Sequence, residues 1–111
     1  MNFNVFSIPP FDRQLKKLVK KYPSLKNEFA NLITSLEKKP GQGTPLGNNC
    51  YKIRIAINSK GKGKSGGARI ITHIVISESA VYLLSIYDKS EKNTLTDKEI
   101  SELLTLLVNC R

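Results

Sequence analysis

The sequence predicts one α+β domain over residues 1–111, with the element order β-α-α-β-β-β-α. Three observations support this prediction. The length of 111 residues fits one domain and leaves little room for a second. Strand-like segments follow one another in the second half of the chain, and amphipathic helical segments lie on both sides of them. Consecutive antiparallel strands beside helices are typical of α+β proteins rather than of doubly wound sheets.

A short strand and a helical hairpin are predicted for the N-terminal third. Residues 2–8 alternate between apolar and polar side chains, and Pro9 and Pro10 end this strand. Two stretches with apolar residues at helical spacing then follow, separated by Tyr22-Pro23. Ser24 is the predicted N-cap of the second helix. Because the break between them is short, we expect the two helices to form an antiparallel hairpin.

An antiparallel-rich central sheet and a C-terminal helix complete the predicted fold. Residues 39–49 are rich in Gly, Pro and Asn and predict turns. Strands are predicted at residues 50–58, 68–77 and 81–87, with a tight hairpin between the last two. Thr96 and Glu99 form a capping-box sequence. This box opens a helix whose apolar stripe consists of Ile100, Leu103, Leu104, Leu107 and Val108.

The charge of the chain predicts an anionic partner. The formal net charge is +9 and the pI is about 9.7. Residues 40–77 carry six Lys or Arg and no acidic residue, so their positive charge has no compensation within the segment. Nucleic acid, an acidic protein segment and a membrane surface are all partners that such a charge attracts.

Several classes of protein are excluded by composition. The apolar runs are too short to span a bilayer, and the N-terminus lacks the pattern of a signal peptide, so we expect a cytoplasmic protein without membrane attachment. Cys50 and Cys110 are therefore expected to be reduced. A single His and no cluster of Cys or carboxylates predict no metal site, and no cofactor is expected.

A glycine-rich loop at residues 59–67 carries Lys60, Lys62 and Lys64. Its spacing of glycines matches a dinucleotide-binding fingerprint, but a strand follows where that fingerprint requires a helix. Glycines let backbone N–H groups approach an anion, and the lysines neutralise it, so the loop is a candidate nucleic-acid-binding segment. The alternative is an ordinary solvated hairpin loop.

Cationic and polar side chains recur at the same parity along the predicted strands. If these alternate positions of the three strands lie on the same face, one surface of the sheet carries six such side chains: Lys52, Arg54, Arg69, His73, Tyr87 and Lys89. Periodicity alone leaves the pairing register open.

The segments at residues 51–71 and 81–92 resemble the RelE/ParE superfamily of toxins from type II toxin–antitoxin systems, most closely the HigB-like branch of RelE. The combination of a Lys-x-Arg strand, a glycine–lysine loop, Gly-Ala-Arg-Ile-Ile and Leu-Leu-x-Ile-Tyr-x-Lys carries the resemblance. It implies a microbial RNase-type fold. It also implies a ribosome-dependent, metal-independent mRNA endoribonuclease (an mRNA interferase) that a cognate antitoxin holds inactive.

The resemblance assigns roles to residues that match the motif. Arg54 and Arg69 would clamp the phosphate, since guanidinium donors suit that anion. Tyr87 and Lys89 would transfer protons and stabilise the leaving group. A further set would hold rRNA or the message: Lys52, Lys60, Lys62 and Lys64. His73 is assigned to nucleic-acid binding, although a histidine in an apolar strand is more often a hydrogen-bonded sheet residue.

Two alternative functions compete with the nuclease. ParE-like members act on DNA gyrase and lack the basic catalytic set, so the many Lys and Arg residues argue against that function. A non-catalytic basic module that binds RNA or the ribosome agrees with the composition equally well.

Overall fold

The computed structural model describes residues 2–57, 67–92 and 94–110. In this part of the chain, a five-stranded mixed sheet has the order β1-β5-β4-β3-β2. The strands are β1 Asn4–Ser7, β2 Thr44–Gly47, β3 Cys50–Ile55, β4 Ala68–Val75 and β5 Ala80–Asp88. The helices are α1 Pro9–Lys21, α2 Leu25–Lys38 and α3 Asp97–Cys110. The predicted α+β class is confirmed.

The sheet is antiparallel except at one edge. Antiparallel ladders join β2 to β3, β3 to β4 and β4 to β5. The pair β1–β5 is parallel, with Asn4 opposite Ala80 and Ser7 opposite Leu83. Because β1 pairs with only the first half of β5, the second half of β5 forms the sheet edge there.

The helical hairpin follows from local sequence, with one exception. Pro9 and Pro10 begin α1 as well as ending the strand before it, since proline is well suited to the first helical turn. Ser24 stands at the predicted N-cap position, but its backbone is already helical and its side chain accepts no capping hydrogen bond from a backbone N–H; its hydroxyl donates to Glu28 instead.

One strand was missed, and others are shorter than predicted. β2 lies in the segment predicted as turns, because a short edge strand containing Pro45 and flanked by glycines has the composition of a loop. Gly43 permits this strand to approach β3. It has a φ of 92°, and a Cβ there would lie 2.3 Å from the Lys52 carbonyl oxygen. At the ends, β3 stops at Ile55 and β4 at Val75.

The sheet is covered on both faces. The helical hairpin packs on the face that carries Leu83, where Phe11 and Phe29 meet with ring centroids 5.7 Å apart. Helix α3 lies against the face that carries Ser85 and Tyr87. Its predicted apolar stripe is only partly correct. Ile100 and Leu107 are buried, Leu103 and Leu104 are half-buried, and Val108 is 66% exposed.

Candidate functional site

Three of the predicted site residues form a row across three neighbouring strands. Arg54 on β3 lies directly opposite Arg69 on β4, and Arg69 lies directly opposite Tyr87 on β5. Directly opposed residues project from the same face of a sheet, with Cβ atoms about 5 Å apart. The register therefore brings two guanidinium groups and one phenol together, as the parity argument required.

Gly67 permits the strands to meet at this row. A Cβ at this position would lie 2.0 Å from the carbonyl oxygen of Ile55, so any other residue would push β3 and β4 apart. The Gly67 carbonyl also accepts a hydrogen bond of 3.1 Å from the backbone N–H of Lys89. The close approach thus fixes the end of β5 beside the beginning of β4.

Arg69 is buried, with 4% of its surface exposed. Its Nη1 donates to the carbonyl oxygen of Ala68 at 3.1 Å. Burial lowers the pKa of Arg69, the nearby charge of Arg54 lowers it further, and Tyr87 opposes the change. The guanidinium nevertheless stays charged at neutral pH, because its ordinary pKa lies above 12. Two neighbouring guanidinium groups repel each other, and an anion bound between them would remove this repulsion.

Tyr87 is 8% exposed, and its hydroxyl is buried without a hydrogen-bond partner among the residues that the structure describes. Burial raises the pKa of Tyr87. The Thr94 side chain lies close to the phenol without a well-oriented hydrogen bond and lowers the pKa of Tyr87, as do the charges of Arg69 and Lys92, whereas Glu99 adds to the increase. The phenol is therefore neutral at physiological pH, and its proton is available for donation.

A cavity of about 400 Å³ lies between β5 and the segment that leads into α3. Tyr87 and Ser85 line it from the sheet, and Lys92, Glu99 and Leu103 line it from the other side. A cavity of this volume is within the range of small-ligand sites. Its walls combine apolar side chains with a phenol, an ammonium group and the two carboxylates of Glu99 and Glu102.

The family model described as the RelE toxin of the RelE/RelB toxin–antitoxin system matches residues 11–109. The chain belongs to the RelE toxin family. The matched residues include the whole row of Arg54, Arg69 and Tyr87. As a family member, the protein is a toxin of a toxin–antitoxin system.

Solved structures of RelE toxins share the fold. A free double-arginine mutant of Escherichia coli RelE is 16% identical, with a TM-score of 0.61 over 95% of this chain and 97% of the other. The RelBE2 toxin–antitoxin complex of Mycobacterium tuberculosis is 20% identical, with a TM-score of 0.56 over 79% of this chain and 92% of the other. Isolated E. coli RelE in a P21 crystal form is 16% identical, with a TM-score of 0.54 over 96% of this chain and 99% of the other. At these identities the likeness concerns the fold alone.

The other residues predicted for the site of this RelE toxin lie at different distances from the row. Lys52 is half-buried and lies one step along the same face, opposite Ile71. Lys89 is exposed in the turn after β5, so strand alternation does not place its side chain. The three loop residues Lys60, Lys62 and Lys64 lie outside the described residues.

His73 is separated from the row. It lies four residues beyond Arg69 on β4, about 13 Å along the strand. Its Nδ1 is 3.5 Å from the Sγ of Cys50, the residue opposite it on β3. Burial raises the pKa of the Cys50 thiol, so the uncharged thiol is favoured. The structure therefore gives His73 a neighbour within the sheet and keeps it away from Tyr87.

Sequence reasoning missed Gln14, which supports the strand that carries Tyr87. Its Oε1 accepts hydrogen bonds from the backbone N–H of Ile86 at 3.0 Å and from the hydroxyl of Ser85 at 3.1 Å. Helix α1 thereby satisfies a donor on the part of β5 that β1 does not cover. The signal in the sequence was that Gln14 is the one uncharged polar residue of α1.

Sequence reasoning also missed the ion pair between Lys92 and Glu99. Lys92 Nζ donates to Glu99 Oε2 at 2.5 Å, and the two form an ion pair. Glu99 also accepts from the Thr96 N–H at 2.9 Å, while the Thr96 hydroxyl accepts from the Glu99 N–H at 3.1 Å, so the predicted capping box is confirmed. The hydrogen bond from Lys92 and the one from Thr96 lower the pKa of Glu99 to about 2.

The described residues contain no group of three His, Cys, Asp or Glu side chains placed to bind a metal ion. In the same part of the chain, no helix has the length and apolar character needed to cross a membrane.

Proposed function

We propose that this RelE toxin is a ribosome-dependent, metal-independent endoribonuclease that cuts mRNA and inhibits translation in the cytoplasm. The observation that carries the proposal is the row of Arg54, Arg69 and Tyr87 on one sheet face. Cleavage by attack of a ribose 2′-OH on the adjacent phosphate needs a proton acceptor, a proton donor for the leaving 5′-oxygen, and cations around the phosphorane.

The row offers two of these three functions. The guanidinium groups of Arg54 and Arg69 present forked N–H donors, which suit the oxygens of a phosphorane better than a point charge does. Tyr87 is the proposed proton donor, since burial keeps it protonated. Lys89 is proposed to stabilise the leaving group, and Lys52 with the loop lysines would hold rRNA or the message.

A cognate antitoxin is the proposed protein partner. The M. tuberculosis structure of the same fold is a toxin–antitoxin complex, and the net charge of +9 favours an acidic partner. If the contact is mainly electrostatic, the affinity of the complex will fall as salt rises. Constant affinity between low and high salt would instead indicate an apolar interface.

Arg69→Ala tests the nuclease proposal. We expect cleavage of ribosome-bound message to fall at least about 100-fold, because one lost donor to a developing oxyanion costs that much in other enzymes. The 5′ ends of messages are mapped after addition of purified protein to a translation reaction. Arg13→Ala, an exposed arginine on α1, is the matched control and should cleave normally. Unchanged cleavage by folded Arg69→Ala would refute the assignment.

One observation favours the non-catalytic alternative. Arg69 and Tyr87 are buried, whereas exposed lysines remain available for binding RNA. A module that only binds would associate with ribosomes through these lysines and leave the message intact, which the same 5′-end mapping detects. The gyrase-inhibitor alternative predicts loss of supercoiling activity on addition of the purified protein. We expect no such loss.

A further inference from the structure

Lys92 stands beside Tyr87 and was not assigned by sequence. It lines the cavity between β5 and α3, and it also lines a second cavity of about 350 Å³ on the α1 side of Tyr87. About 41% of its side chain is exposed, so solvent and ligands reach it, whereas the Tyr87 hydroxyl is covered. Lys92 is thus an accessible cation at the entrance to a buried phenol that has no well-oriented hydrogen bond to the described residues.

The anionic group next to Lys92 is the carboxylate of Glu99. This carboxylate forms an ion pair with Lys92, and its charge raises the pKa of Tyr87. The charge of Arg69 lowers the pKa of Tyr87. The carboxylate therefore lies beside a phenol and positively charged groups, and the exposed Glu102 is a second carboxylate at the same cavity. The ammonium group of Lys92, which binds the Glu99 carboxylate, is equally suited to a phosphate, which carries the same sign of charge and the same kind of acceptor oxygen.

The Tyr87 hydroxyl, which makes no well-oriented hydrogen bond to the residues that the structure describes, points to a ligand. Buried polar groups nearly always have hydrogen-bond partners, and an exception calls for an explanation. Within the described residues, the groups around the hydroxyl come from Arg69 on β4, Gln14 on α1, Lys92 and the segment at residues 94–106. A phosphate that replaced the Glu99 carboxylate at Lys92 would bring acceptor oxygens to the same cavity.

We propose that Lys92 is a further ligand of the RNA phosphate backbone and that Glu99 occupies its place until the RNA binds. This inference rests on the proposed function, since it concerns the same site. The ion pair of Lys92 with Glu99 opens, the ammonium group moves to the phosphate, and the start of α3 shifts to admit the RNA to Tyr87. No covalent bond is made or broken in this exchange.

Glu99→Gln tests the exchange without removing the cap of α3. Glutamine serves at this capping-box position as glutamate does, so its side-chain oxygen can still accept from the Thr96 N–H. The matched control is Glu37→Gln on α2, which packs on the opposite face of the sheet and makes the same change in net charge. Lys92→Met removes the proposed ligand, and Lys38→Met on α2 is its control.

The probe is a fluorescein-labelled, 2′-O-methyl RNA oligonucleotide, which cannot be cleaved, and binding is followed by anisotropy over a range of KCl concentrations. Relative to Glu37→Gln, Glu99→Gln should tighten binding about 3- to 5-fold, the value of a partly exposed ion pair. Adding Lys92→Met to Glu99→Gln should abolish this gain. It should also lower the slope of log affinity against log salt by about 0.7, the value of one phosphate contact on a single strand.

Two results would overturn the inference. The first is equal tightening by Glu99→Gln and Glu37→Gln, which would show only an effect of net charge. The second is survival of the gain in the double variant, which would show that a loosened α3, and not the freed Lys92, improves binding. The Lys38→Met control corrects for loss of any surface cation.

Failure of this inference and failure of the proposed function are distinguishable. The binding assay uses an uncleavable RNA and gives its answer whether or not the toxin is a nuclease. Wild-type cleavage that depends on Arg69, together with no special effect at Lys92 or Glu99, would refute the inference alone. Absence of cleavage by the wild-type toxin, together with the predicted binding pattern, would refute the nuclease and keep the phosphate site.

Discussion

Tyr87→Phe should separate activity from stability. The substitution removes one hydroxyl and leaves the ring in place. Because that hydroxyl is buried without a partner among the described residues, the folded protein bears a desolvation cost of about 1–3 kcal/mol with no hydrogen bond to offset it. We expect the free energy of unfolding to rise by about 1 kcal/mol and the Tm by about 3–6 °C.

The same substitution should abolish most of the proposed cleavage. A positioned proton donor contributes about 10²- to 10⁴-fold to a reaction rate, so mRNA cleavage should fall within this range. Thermal unfolding is followed by circular dichroism, and cleavage by primer extension on ribosome-bound message. A protein that becomes more stable as it loses activity is the expected signature of a functional group held without a partner.

Tyr22→Phe is the matched control for stability. The Tyr22 hydroxyl donates to the carboxylate of the buried Asp88 at 3.3 Å. Its loss should lower the free energy of unfolding by about 1 kcal/mol, because a buried acceptor loses a donor. The reasoning fails if Tyr87→Phe lowers the Tm as Tyr22→Phe does, or if Tyr87→Phe cleaves mRNA at the wild-type rate.

Two further predictions concern the frame of the site. Gly67→Ala should lower the free energy of unfolding in urea by about 1–3 kcal/mol, because the new Cβ would lie 2.0 Å from the Ile55 carbonyl oxygen. Its control is Gly41→Ala, whose Cβ makes only ordinary contacts and should change the free energy of unfolding by less than about 0.5 kcal/mol. The pKa of Glu99 is depressed to about 2, so its ion pair with Lys92 stabilises the fold above the ordinary carboxyl pKa and is lost as pH falls toward 2. Glu99→Gln should therefore show a shallower decline of Tm between pH 5 and pH 2 than the wild type, and identical declines would contradict this assignment.

Much of the fold could be predicted because strong local patterns agree with tertiary packing. The strict alternation of β3 placed Arg54 on the face opposite Ile53 and Ile55, and both isoleucines are buried. The capping box at Thr96 was recognisable because both of its hydrogen bonds join residues three apart. In contrast, β2 has little local signal, since its pairing with β3 depends on Gly43 and on a distant carbonyl.

Only one property of the site could be predicted from the alternation of side chains along the strands, namely which residues share a face of the sheet. Parity indicated that Arg54, Arg69 and Tyr87 share a face, but the register decides which residues are neighbours, and register is set by tertiary pairing. The pairing of β4 with β5 also shifts between Ile71 and Thr72, which no alternation pattern reveals. Lys92 and Glu99 meet across a turn, and their roles depend on the path of α3 over the sheet.

The order of the strands has a consequence for the synthesis of this toxin. The first strand pairs with the last, since Asn4 lies opposite Ala80, and the row of side chains is complete only when Tyr87 has been added. At about 5–20 residues per second, the 33 positions from Arg54 to Tyr87 take about 2–7 s to translate. During that interval the emerging chain holds separate fragments of its site. A chain that ends before β5 therefore lacks Tyr87 and carries an incomplete row.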